Sequence, residues 1–356
     1  MKIGMRRLRF FILLFAASSL LFQFPPEAFA ATPFDISARD AETDGVNGFD
    51  MLGGAINVKT FVIGDSTYAI VTAWTDDGVQ IIDISDPENI VAKGSMVDTD
   101  GTLKLDGARD VATFVIGSST YAIVTSQNNS DTGVQVIDIS DVDNLVATDS
   151  LGDNGSLMLD DTRGVDVFTI GSSTYAIVTA WTDNGVQIID ISDPTDIVAK
   201  GSMVDTGSLM LDSTRGVDVF TIGSSTYAIV AGYGDNGVQI IDISDVDNLI
   251  AVDAETDGVN GFTVLNAVGD VETFTIGSST YAIAVSGGDN GVQIIELNTG
   301  TTSDTSTADD GGSSMCARLV ILGNCGTIAI NNDEYRIIHP WSTIPTTEVM
   351  VGEPVS

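Results

Sequence analysis

The tripeptide Gly-Val-Gln recurs five times, and each copy opens a run rich in β-branched residues. The copies begin at Gly78, Gly133, Gly185, Gly237 and Gly291, so successive copies start 55, 52, 52 and 54 residues apart. A fixed period of that length is typical of an array of supersecondary units, each of which is too small to bury its own apolar surface. The repeat therefore constrains the architecture strongly and the chemistry weakly.

One unit shows what is repeated. From Val165 the chain reads VDVFTIG, STYAIVTA, GVQIIDIS and IVAKGSM, with short gaps that carry Gly, Asp, Asn or Pro. Such runs and gaps predict four antiparallel strands joined by tight turns. Apolar residues occupy both faces of the third run, as at Ile188 and Ile189, so each sheet must be covered on both sides. We therefore predict an all-β, five-bladed β-propeller of four-stranded antiparallel blades.

A duplicated decapeptide predicts how the ring closes. The string DAETDGVNGF occurs at residues 40–49 and again at 253–262, where it leads out of the fourth strand of a unit. The last unit, by contrast, runs from GVQIIELN into TGTTSDTSTADDGGSS, which contains no fourth strand. We expect the N-terminal segment Phe34–Ala41 to supply the missing strand, which would leave no long exposed edge.

The regions outside the repeats divide into three parts. Residues 1–30 predict a signal peptide, with a basic start, an apolar stretch and Ala-Phe-Ala before Ala31. An uncleaved anchor is disfavoured because the apolar stretch is shorter than the roughly 20 residues that cross a bilayer. Residues 31–298 form the propeller and 299–314 a flexible linker. Residues 315–356 are a short β-rich or disordered tail, and the start of a truncated further domain is the alternative.

The two cysteines, Cys316 and Cys325, both follow the repeats. In an exported protein they are a possible disulfide that closes a small loop, and a pair of free thiols is the alternative. Together with the single His339 they do not make a zinc site of the finger type.

The charge balance restricts the partners that the chain can bind. Its formal net charge is −36, and removal of residues 1–30 would leave 10 Lys and Arg against 49 Asp and Glu, a charge of −39. Such a field repels nucleic acid and anionic lipid, and it favours cations, basic partners and solubility. We expect no nucleic-acid partner and no membrane span in the mature chain. Adaptation to high salt is an alternative origin of the acidic composition.

At this point the repeats can be compared with a known family. The segments YAIVTAWTDDGVQIIDISDP and YAIVTAWTDNGVQIIDISDP, at residues 68–87 and 175–194, resemble the LVIVD repeat of exported bacterial and archaeal β-propellers. The resemblance covers about residues 34–298 and implies the propeller fold and an extracytoplasmic or cell-surface setting. The last unit departs from the pattern, because Glu296-Leu297-Asn298 stands in place of Asp-Ile-Ser.

Acidic loops suggest a metal site on one face of the predicted ring. Asp98, Asp100 and Asp106 lie in one such loop, with the alternating oxygens and the Gly101 of a partial calcium loop. Extracellular calcium modules bind at about 10⁻⁴ to 10⁻³ M. The segment lacks the full spacing and the terminal Glu of such loops, so solvated turn acids are the alternative.

One carboxylate recurs just before a Ser-Asp turn, or at the matching place in the last unit. The members are Asp83, Asp138, Asp190, Asp242 and Glu296. An acid at one place in every unit is expected to close the turn by a hydrogen bond. A catalytic pair would instead need two acids in unlike environments. The near-equality of the units therefore argues against an enzyme, and we predict no catalytic residues.

Arginines mark three of the five units at the start of the first strand. They are Arg109, Arg163 and Arg215, whereas units one and five carry Ile56 and Gly269 there. Three neighbouring blades would thus present arginine at the mouth of the channel, as a grip for an anionic or peptide ligand. The alternative is that these arginines pair with the adjacent acids Asp110, Asp166 and Asp218.

Aromatic residues occupy one loop position in three units, as Trp74, Trp181 and Tyr233. They are candidate platforms for sugars, and packing between loops is the alternative. The leading function is a non-enzymatic exported or cell-surface module that binds a protein or another surface component. A glycan-binding propeller, with calcium as an optional cofactor, is the second, and a glycoside hydrolase is the least favoured.

Overall fold

The structure is a computed structural model that describes residues 37–127, 132–298, 327–331 and 334–338. The predicted signal peptide, the linker, most of the tail and both cysteines lie outside the described residues, as do residues 34–36 of the predicted closing strand. Within the described ranges the secondary structure is all-β. No helix in that part of the chain is long and apolar enough to span a membrane.

Five antiparallel sheets follow one another along the chain, each with its strands in chain order, as the repeat predicts. Sheet 1 contains β1 (Ala55–Ile63), β2 (Ser66–Ala73), β3 (Gly78–Asp83) and β4 (Val91–Val97). Sheet 2 contains β5 (Ala108–Ile116), β6 (Ser119–Ser126), β7 (Gly133–Asp138) and β8 (Val146–Gly152). Sheet 3 contains β9 (Thr162–Ile170), β10 (Ser173–Ala180), β11 (Gly185–Asp190) and β12 (Val198–Val204).

Sheets 4 and 5 continue the series, but the last one is shorter. Sheet 4 contains β13 (Thr214–Ile222), β14 (Ser225–Gly232), β15 (Gly237–Asp242) and β16 (Ile250–Thr256). Sheet 5 contains β17 (Val268–Ile276), β18 (Ser279–Ser286) and β19 (Gly291–Leu297). In the predicted tail, β20 (Thr327–Asn331) and β21 (Glu334–Ile338) form an antiparallel pair.

The Gly-Val-Gln repeat begins the third strand of every sheet, and in sheets 1 to 4 its Gln joins that strand to the fourth. In sheet 3 the fourth strand bulges at Lys200–Gly201, next to the pair that the buried Gln187 forms with Ser202. The Nε2 of Gln187 lies 2.9 and 3.1 Å from the two carbonyl oxygens of this bulge. Its Oε1 accepts the backbone N–H of Met158 at 3.3 Å. The preceding Gly185 is needed because a Cβ there would overlap the carbonyl oxygen of Met203.

The apolar cores lie between consecutive sheets. Ile81 of sheet 1 and Val111 of sheet 2 belong to one such core, and corresponding cores join sheets 2 and 3, 3 and 4, and 4 and 5. Apolar burial on both faces explains why the third strands are continuous hydrophobic runs, and it is the main favourable contribution to folding.

The first strands of the sheets lie side by side in the order β1, β5, β9, β13 and β17. Carboxylates tie three of these strands to the next by accepting a backbone N–H: Asp110 from Val165 at 2.9 Å, Asp166 from Val219 at 2.9 Å, and Asp218 from Thr273 at 2.7 Å. Burial raises the pKa of Glu272 in β17, and the charge of Lys59 in β1 opposes that rise.

Two kinds of hydrogen bond alternate where the fourth strands meet the next sheet. Between sheets 1 and 2, and again between sheets 3 and 4, a glycine N–H donates to a carbonyl: Gly94 to Val142 and Gly201 to Val246, both at 2.8 Å. Between sheets 2 and 3 the carboxylate of Asp149 accepts the N–H of Ile197 at 2.8 Å. Asp40 accepts the N–H of Ile90 in sheet 1 in the same way, at 2.8 Å.

The faces of sheets 1 and 5 that no other sheet covers are exposed. Val58 in β1 is 58% exposed, whereas Val111 at the same place in β5 is 3% exposed. Val292 in β19 is 57% exposed, whereas its counterpart Val134 in β7 is fully buried. Sheet 5 has three strands, and residues 37–43 form no strand. The predicted closing strand is therefore not seen among the described residues.

Candidate functional site

The acidic loops of a sheet lie at the same end of that sheet, and they support one another. In four sheets a carboxylate of the loop between the second and third strands accepts a backbone N–H from the loop before the first strand, at 2.6 to 2.9 Å. The pairs are Asp76 with Gly53, Asp183 with Asp160, Asp235 with Asp212, and Asp289 with Asn266. These acids therefore stabilise the loops in which they lie.

Two of the three predicted calcium residues serve their own turn, and the third, Asp106, lies beside Asp77. The carboxylates of Asp98 and Asp100 accept hydrogen bonds from backbone N–H groups two or three residues later. Burial raises the pKa of Asp77, and the neighbouring carboxyls of Asp106 and Asp98 raise it further. Within the described ranges, no group of three His, Cys, Asp or Glu side chains is arranged to hold a metal ion. Calcium stays a prediction for this loop.

The repeated carboxylates before the Ser-Asp turns close those turns, which confirms the structural interpretation. Each accepts the backbone N–H of the serine two residues later, at 2.8 to 3.0 Å. The pairs are Asp83 with Ser85, Asp138 with Ser140, Asp190 with Ser192, and Asp242 with Ser244. Glu296 of sheet 5 is exposed.

The predicted arginines converge with two of the predicted aromatic residues. The guanidinium carbon of Arg163 lies 4.6 Å from the centre of the Trp181 ring. That of Arg215 lies 4.8 Å from the same ring and 3.8 Å from the ring of Tyr233. The two rings are 5.2 Å apart. We call Arg109, Arg163, Arg215, Trp181 and Tyr233 the arginine–aromatic cluster.

Positive charge is concentrated in this cluster with little compensation. Burial, and then the charges of Arg163 and Arg215, lower the pKa of Arg109 to about 10. Among the described residues one ion pair reaches the cluster, in which Asp161 Oδ2 accepts from Arg163 Nη2 at 2.9 Å. Arg163 Nε, Arg215 Nε and Asp161 Oδ1 are buried without a hydrogen-bond partner. The positive charge of the cluster is therefore only partly compensated by the described residues.

The alternative that the arginines pair with the adjacent acids is wrong. Asp110, Asp166 and Asp218 accept backbone N–H groups from the next first strand instead, because alternate residues of a strand point to opposite sides. Trp74 also differs from the other two aromatic residues. It is 49% exposed, and it stacks on no arginine or ring within the described part of the chain.

Two residues of the site were not predicted. Asp161 has a positive φ of 56°, and Gly54 and Gly107 occupy the same place before the first strands of sheets 1 and 2. The sequence signal for Asp161 is that it occupies a position at which two other units carry Gly. Gln127 accepts a hydrogen bond from Arg109 Nη1 at 2.7 Å, and it lies where the other units have Trp, Tyr or Gly.

A concavity lies farther along the same first strands. It has a volume of about 460 Å³ and lies between sheets 3, 4 and 5, where Phe168, Phe220 and Phe274 contribute to its wall. Its lining is made of Val, Phe and Thr side chains and contains no charged group. The charged groups available to a ligand are therefore at the other end, in the arginine–aromatic cluster.

Comparison with solved structures finds distant likenesses. A functionally unknown protein from Desulfotomaculum acetoxidans has 13% identity and a TM-score of 0.46, with 69% of this chain and 73% of that chain covered. An exo-β-1,3-galactanase from Phanerochaete chrysosporium has 11% identity and a TM-score of 0.44, with 73% and 63% covered. A β-fructofuranosidase from Bombyx mori has 11% identity and a TM-score of 0.42, with 65% and 55% covered. The chain thus spans less than two thirds of either enzyme.

Sequence comparison gives a more direct result. No curated protein matches the chain. The model of the LVIVD repeat matches residues 62–99 and 172–206, which lie in sheets 1 and 3 and include their Gly-Val-Gln strings. The resemblance inferred from the sequence is confirmed in those two segments, and the chain is one that carries LVIVD repeats.

Proposed function

We propose that this chain is a non-enzymatic, exported or cell-surface binding module, built as a five-bladed propeller that its N-terminal strand closes. One observation carries the binding function. The repeated carboxylates are engaged in turns, loops and strand contacts, whereas Arg109, Arg163 and Arg215 gather at one end of the first strands with one ion pair among the described residues. That distribution suits a site that recognises a ligand and does not transform it.

Three observations support closure of the ring. Asp40 accepts a backbone N–H from sheet 1 in the same way that Asp149, in the fourth strand of sheet 2, accepts one from sheet 3. Asp40 is therefore placed as a residue of the outer strand of a blade before sheet 1 would be. The duplicated decapeptide folds alike in both places, with Gly45 and Gly258 N–H donating to Phe49 and Phe262 carbonyls at 2.7 Å. The uncovered faces of sheets 1 and 5 are apolar at positions where the other sheets are buried, so packing them together would remove apolar surface from water.

The first strands also contain an unused closing contact. Asp110 accepts two backbone N–H groups, one from Val111 and one from Val165 in the next strand. Asp270, at the same place in β17, accepts the N–H of Val271, and no second bond is present among the described residues. In a closed ring the N–H of Val58 in β1 would supply that second bond.

A cysteine pair tests closure directly. In sheet 4, Val238 pairs with Glu255, and the repeat places Val292 and Glu42 in the same relation. In a background that lacks Cys316 and Cys325, we expect Val292→Cys with Glu42→Cys to form a disulfide on mild oxidation. The measurement is the shift in mobility on a non-reducing gel, with the mass of the linked peptides.

Two further pairs complete the cross-linking experiment. Val238→Cys with Glu255→Cys should form a disulfide, since the two residues are paired in the structure. Val292→Cys with Glu88→Cys should not. Closure is refuted if the Val292 and Glu42 pair behaves like the pair with Glu88.

The glycan-binding alternative has less support from the site. Trp181 lies within 5 Å of two guanidinium groups and Tyr233 within 4 Å of one, so these rings stack on cations in the protein. Trp74 is the exposed candidate platform, and it has no arginine beside it because Ile56 stands in β1 at the place of the arginines. A protein or another non-glycan surface component is therefore the partner that we favour.

Binding to cells of the source organism tests the proposed function. We expect labelled mature protein to be retained saturably and to be displaced by an excess of unlabelled protein. Protease treatment of the cells should remove this binding, whereas periodate oxidation of their glycans should leave it unchanged. Loss of cell binding after periodate alone, or calcium-dependent binding to glycans on an array, would favour the lectin. The absence of saturable binding to cells would refute the proposal.

A further inference from the structure

The tetrapeptide Asp-Asn-Gly-Val occurs at the start of the third strand in sheets 3, 4 and 5. Its asparagines are Asn184, Asn236 and Asn290, and all three have a positive φ, of 55°, 56° and 54° respectively. In each copy the preceding aspartate accepts a backbone N–H from its own sheet, at 2.8 to 2.9 Å. The three copies therefore share their sequence and local backbone, so a difference in reactivity between them must come from their surroundings.

Two hydrogen bonds hold this asparagine in sheets 3 and 4. The Oδ1 of Asn184 accepts the backbone N–H of Ser213, in the loop before sheet 4, at 2.8 Å. The backbone oxygen of Asn184 accepts the N–H of Asp205, directly after β12, at 2.8 Å. The same two bonds are present in sheet 4, where the acceptor is Asn236 and the donors are Ala267 at 2.8 Å and Asp257 at 2.9 Å. Both the side-chain amide and the peptide bond to the following glycine are therefore fixed.

Asn290 accepts neither bond from any residue that the structure describes. Within those ranges, sheet 5 has no fourth strand that donates to its backbone oxygen, and no loop of a following sheet donates to its side chain. Asn290 is also exposed, whereas Asn184 and Asn236 are half-buried. The peptide bond between Asn290 and Gly291 therefore lacks the two constraints that hold the other copies.

An asparagine that precedes glycine loses its amide group without a catalyst when its surroundings permit. The backbone nitrogen of the glycine attacks the asparagine Cγ, the Cγ–Nδ2 bond breaks, and ammonia leaves as a five-membered succinimide forms. Water then opens the ring: cleavage of the bond between the glycine nitrogen and Cγ gives aspartate, and cleavage at the main-chain carbonyl gives isoaspartate. Glycine favours the attack because it has no Cβ to obstruct it. Hydrogen bonds to the Oδ1 and to the backbone oxygen oppose it, because the side chain and the peptide plane must rotate towards each other.

We propose that the Asn290–Gly291 bond is a site of spontaneous succinimide formation, at which the folded chain converts Asn290 to aspartate or isoaspartate. Asn184 and Asn236 have the same chemistry available and are held away from it by their two bonds. Isoaspartate at position 290 would lengthen the main chain directly before β19, the strand on which closure of the ring depends.

The inference rests on the proposed closure in one respect, which is how the site is protected. In a closed ring, Gly54 and Asp44 would take the places that the two donors to Asn236 have in sheet 4. Their N–H groups would supply both missing bonds, so closure would slow the reaction. We call the junction between sheets 5 and 1 the seam. The reaction then proceeds in molecules whose seam has opened locally, as the less stable parts of a fold do.

Peptide mapping by mass spectrometry measures the reaction at all three asparagines in one sample. In mature chain incubated at mildly alkaline pH, Asn290 should convert about tenfold faster than Asn184 or Asn236, because those two must first break two hydrogen bonds. In chain unfolded in urea, the three should convert at equal rates, since their flanking sequence is the same. Methylation specific for isoaspartate identifies that product. Equal rates in the folded chain, or a slower rate at Asn290, would overturn the proposal.

The cysteine pair that tests closure also tests the cause. Oxidation of the chain with Val292→Cys and Glu42→Cys should slow the conversion of Asn290 to the rate of Asn236, and reduction should restore it. An oxidised chain that converts Asn290 as fast as the reduced chain would overturn the proposal. If the disulfide does not form, closure is refuted while the three asparagines still decide the reaction. If it forms and the three react alike in the reduced chain, the reaction site is refuted and closure stands.

Discussion

Replacement of Gln187 by Leu is expected to lower the free energy of unfolding by about 4 kcal/mol. The side chain is 1% exposed and bonds both carbonyl oxygens of the bulge in the fourth strand, together with the N–H of Met158. Leu fills similar space but leaves these backbone groups buried and unpaired, at about 1 to 3 kcal/mol each. Urea unfolding, followed by circular dichroism, measures the change.

A matched control separates loss of this network from loss of any Gln. Gln127 is half-buried, and its side chain has one partner among the described residues, Arg109. Gln127→Leu should therefore cost about 1 kcal/mol or less. If both variants lose the same stability, the buried network around the Gly-Val-Gln repeat does not contribute as the structure indicates.

The stability of the chain is expected to fall as the pH rises from 4 to 6.5. Burial raises the pKa of Asp110 from 3.8 to about 6, although the backbone N–H groups of Val165 and Val111 oppose the rise. Between those values the unfolded chain is ionised at Asp110 while the folded chain stays protonated, so rising pH favours unfolding. The change amounts to about 2 kcal/mol for this group and levels off above the folded pKa. Burial and the charge of Asp218 raise the pKa of Asp166, which adds a loss of the same sign.

Thermal unfolding at constant ionic strength, in steps of half a pH unit, follows this effect. Asp110→Asn should flatten the profile in that window, whatever it does to the stability itself. Asp193→Asn is the control. The hydrogen bonds that Thr195 donates to the Asp193 carboxylate lower its pKa, so it contributes to stability above pH 3.8 and loses that contribution only at lower pH. A slope that Asp110→Asn leaves unchanged would show that the buried carboxylate is not its source.

The repeat made most of the fold predictable. The alternation of short β-rich runs with Gly, Asp and Pro gaps predicts the four strands of each unit, and the strands are found where the runs are. The proposed closing strand is harder to predict, because it would join the N-terminal segment to sheet 5, about 250 residues away in the sequence, and no such pairing is present among the described residues. The bulge beside Gln187 is likewise set by the fourth strand, whose sequence differs between sheets.

The candidate site was predicted in part. Arg109, Arg163 and Arg215 stand out because they break the equality of the units, and so do Trp181 and Tyr233. The sequence could not show that these two sets meet, since their contact depends on how neighbouring sheets are rotated against each other. Nor could it show that Asp161, and not the adjacent Asp166, pairs with Arg163, because that choice depends on the side of the strand to which each side chain points.

The alternating bonds between the fourth strands and the next sheets bear on the ancestry of the chain. Sheets 1 and 3 carry the same VAKGSMV strand and donate a glycine N–H forward, whereas Asp149 of sheet 2 accepts one. Each of these hydrogen bonds needs a donor on one sheet and an acceptor on the next. The smallest segment whose duplication would preserve both kinds of bond is therefore a pair of sheets. For the fourth strands, duplication by pairs fits sheets 1 to 4 and leaves the fifth without a counterpart, whereas the first two strands of the neighbouring sheets 3 and 4 share one run, at residues 162–178 and 214–230. The junction between sheets 4 and 5 differs in a second way. In sheets 1, 2 and 3 a threonine of the second strand donates its hydroxyl to the first strand of the next sheet, and these threonines are Thr72, Thr125 and Thr179. In sheet 4 the same position is Ala231, which has no hydroxyl.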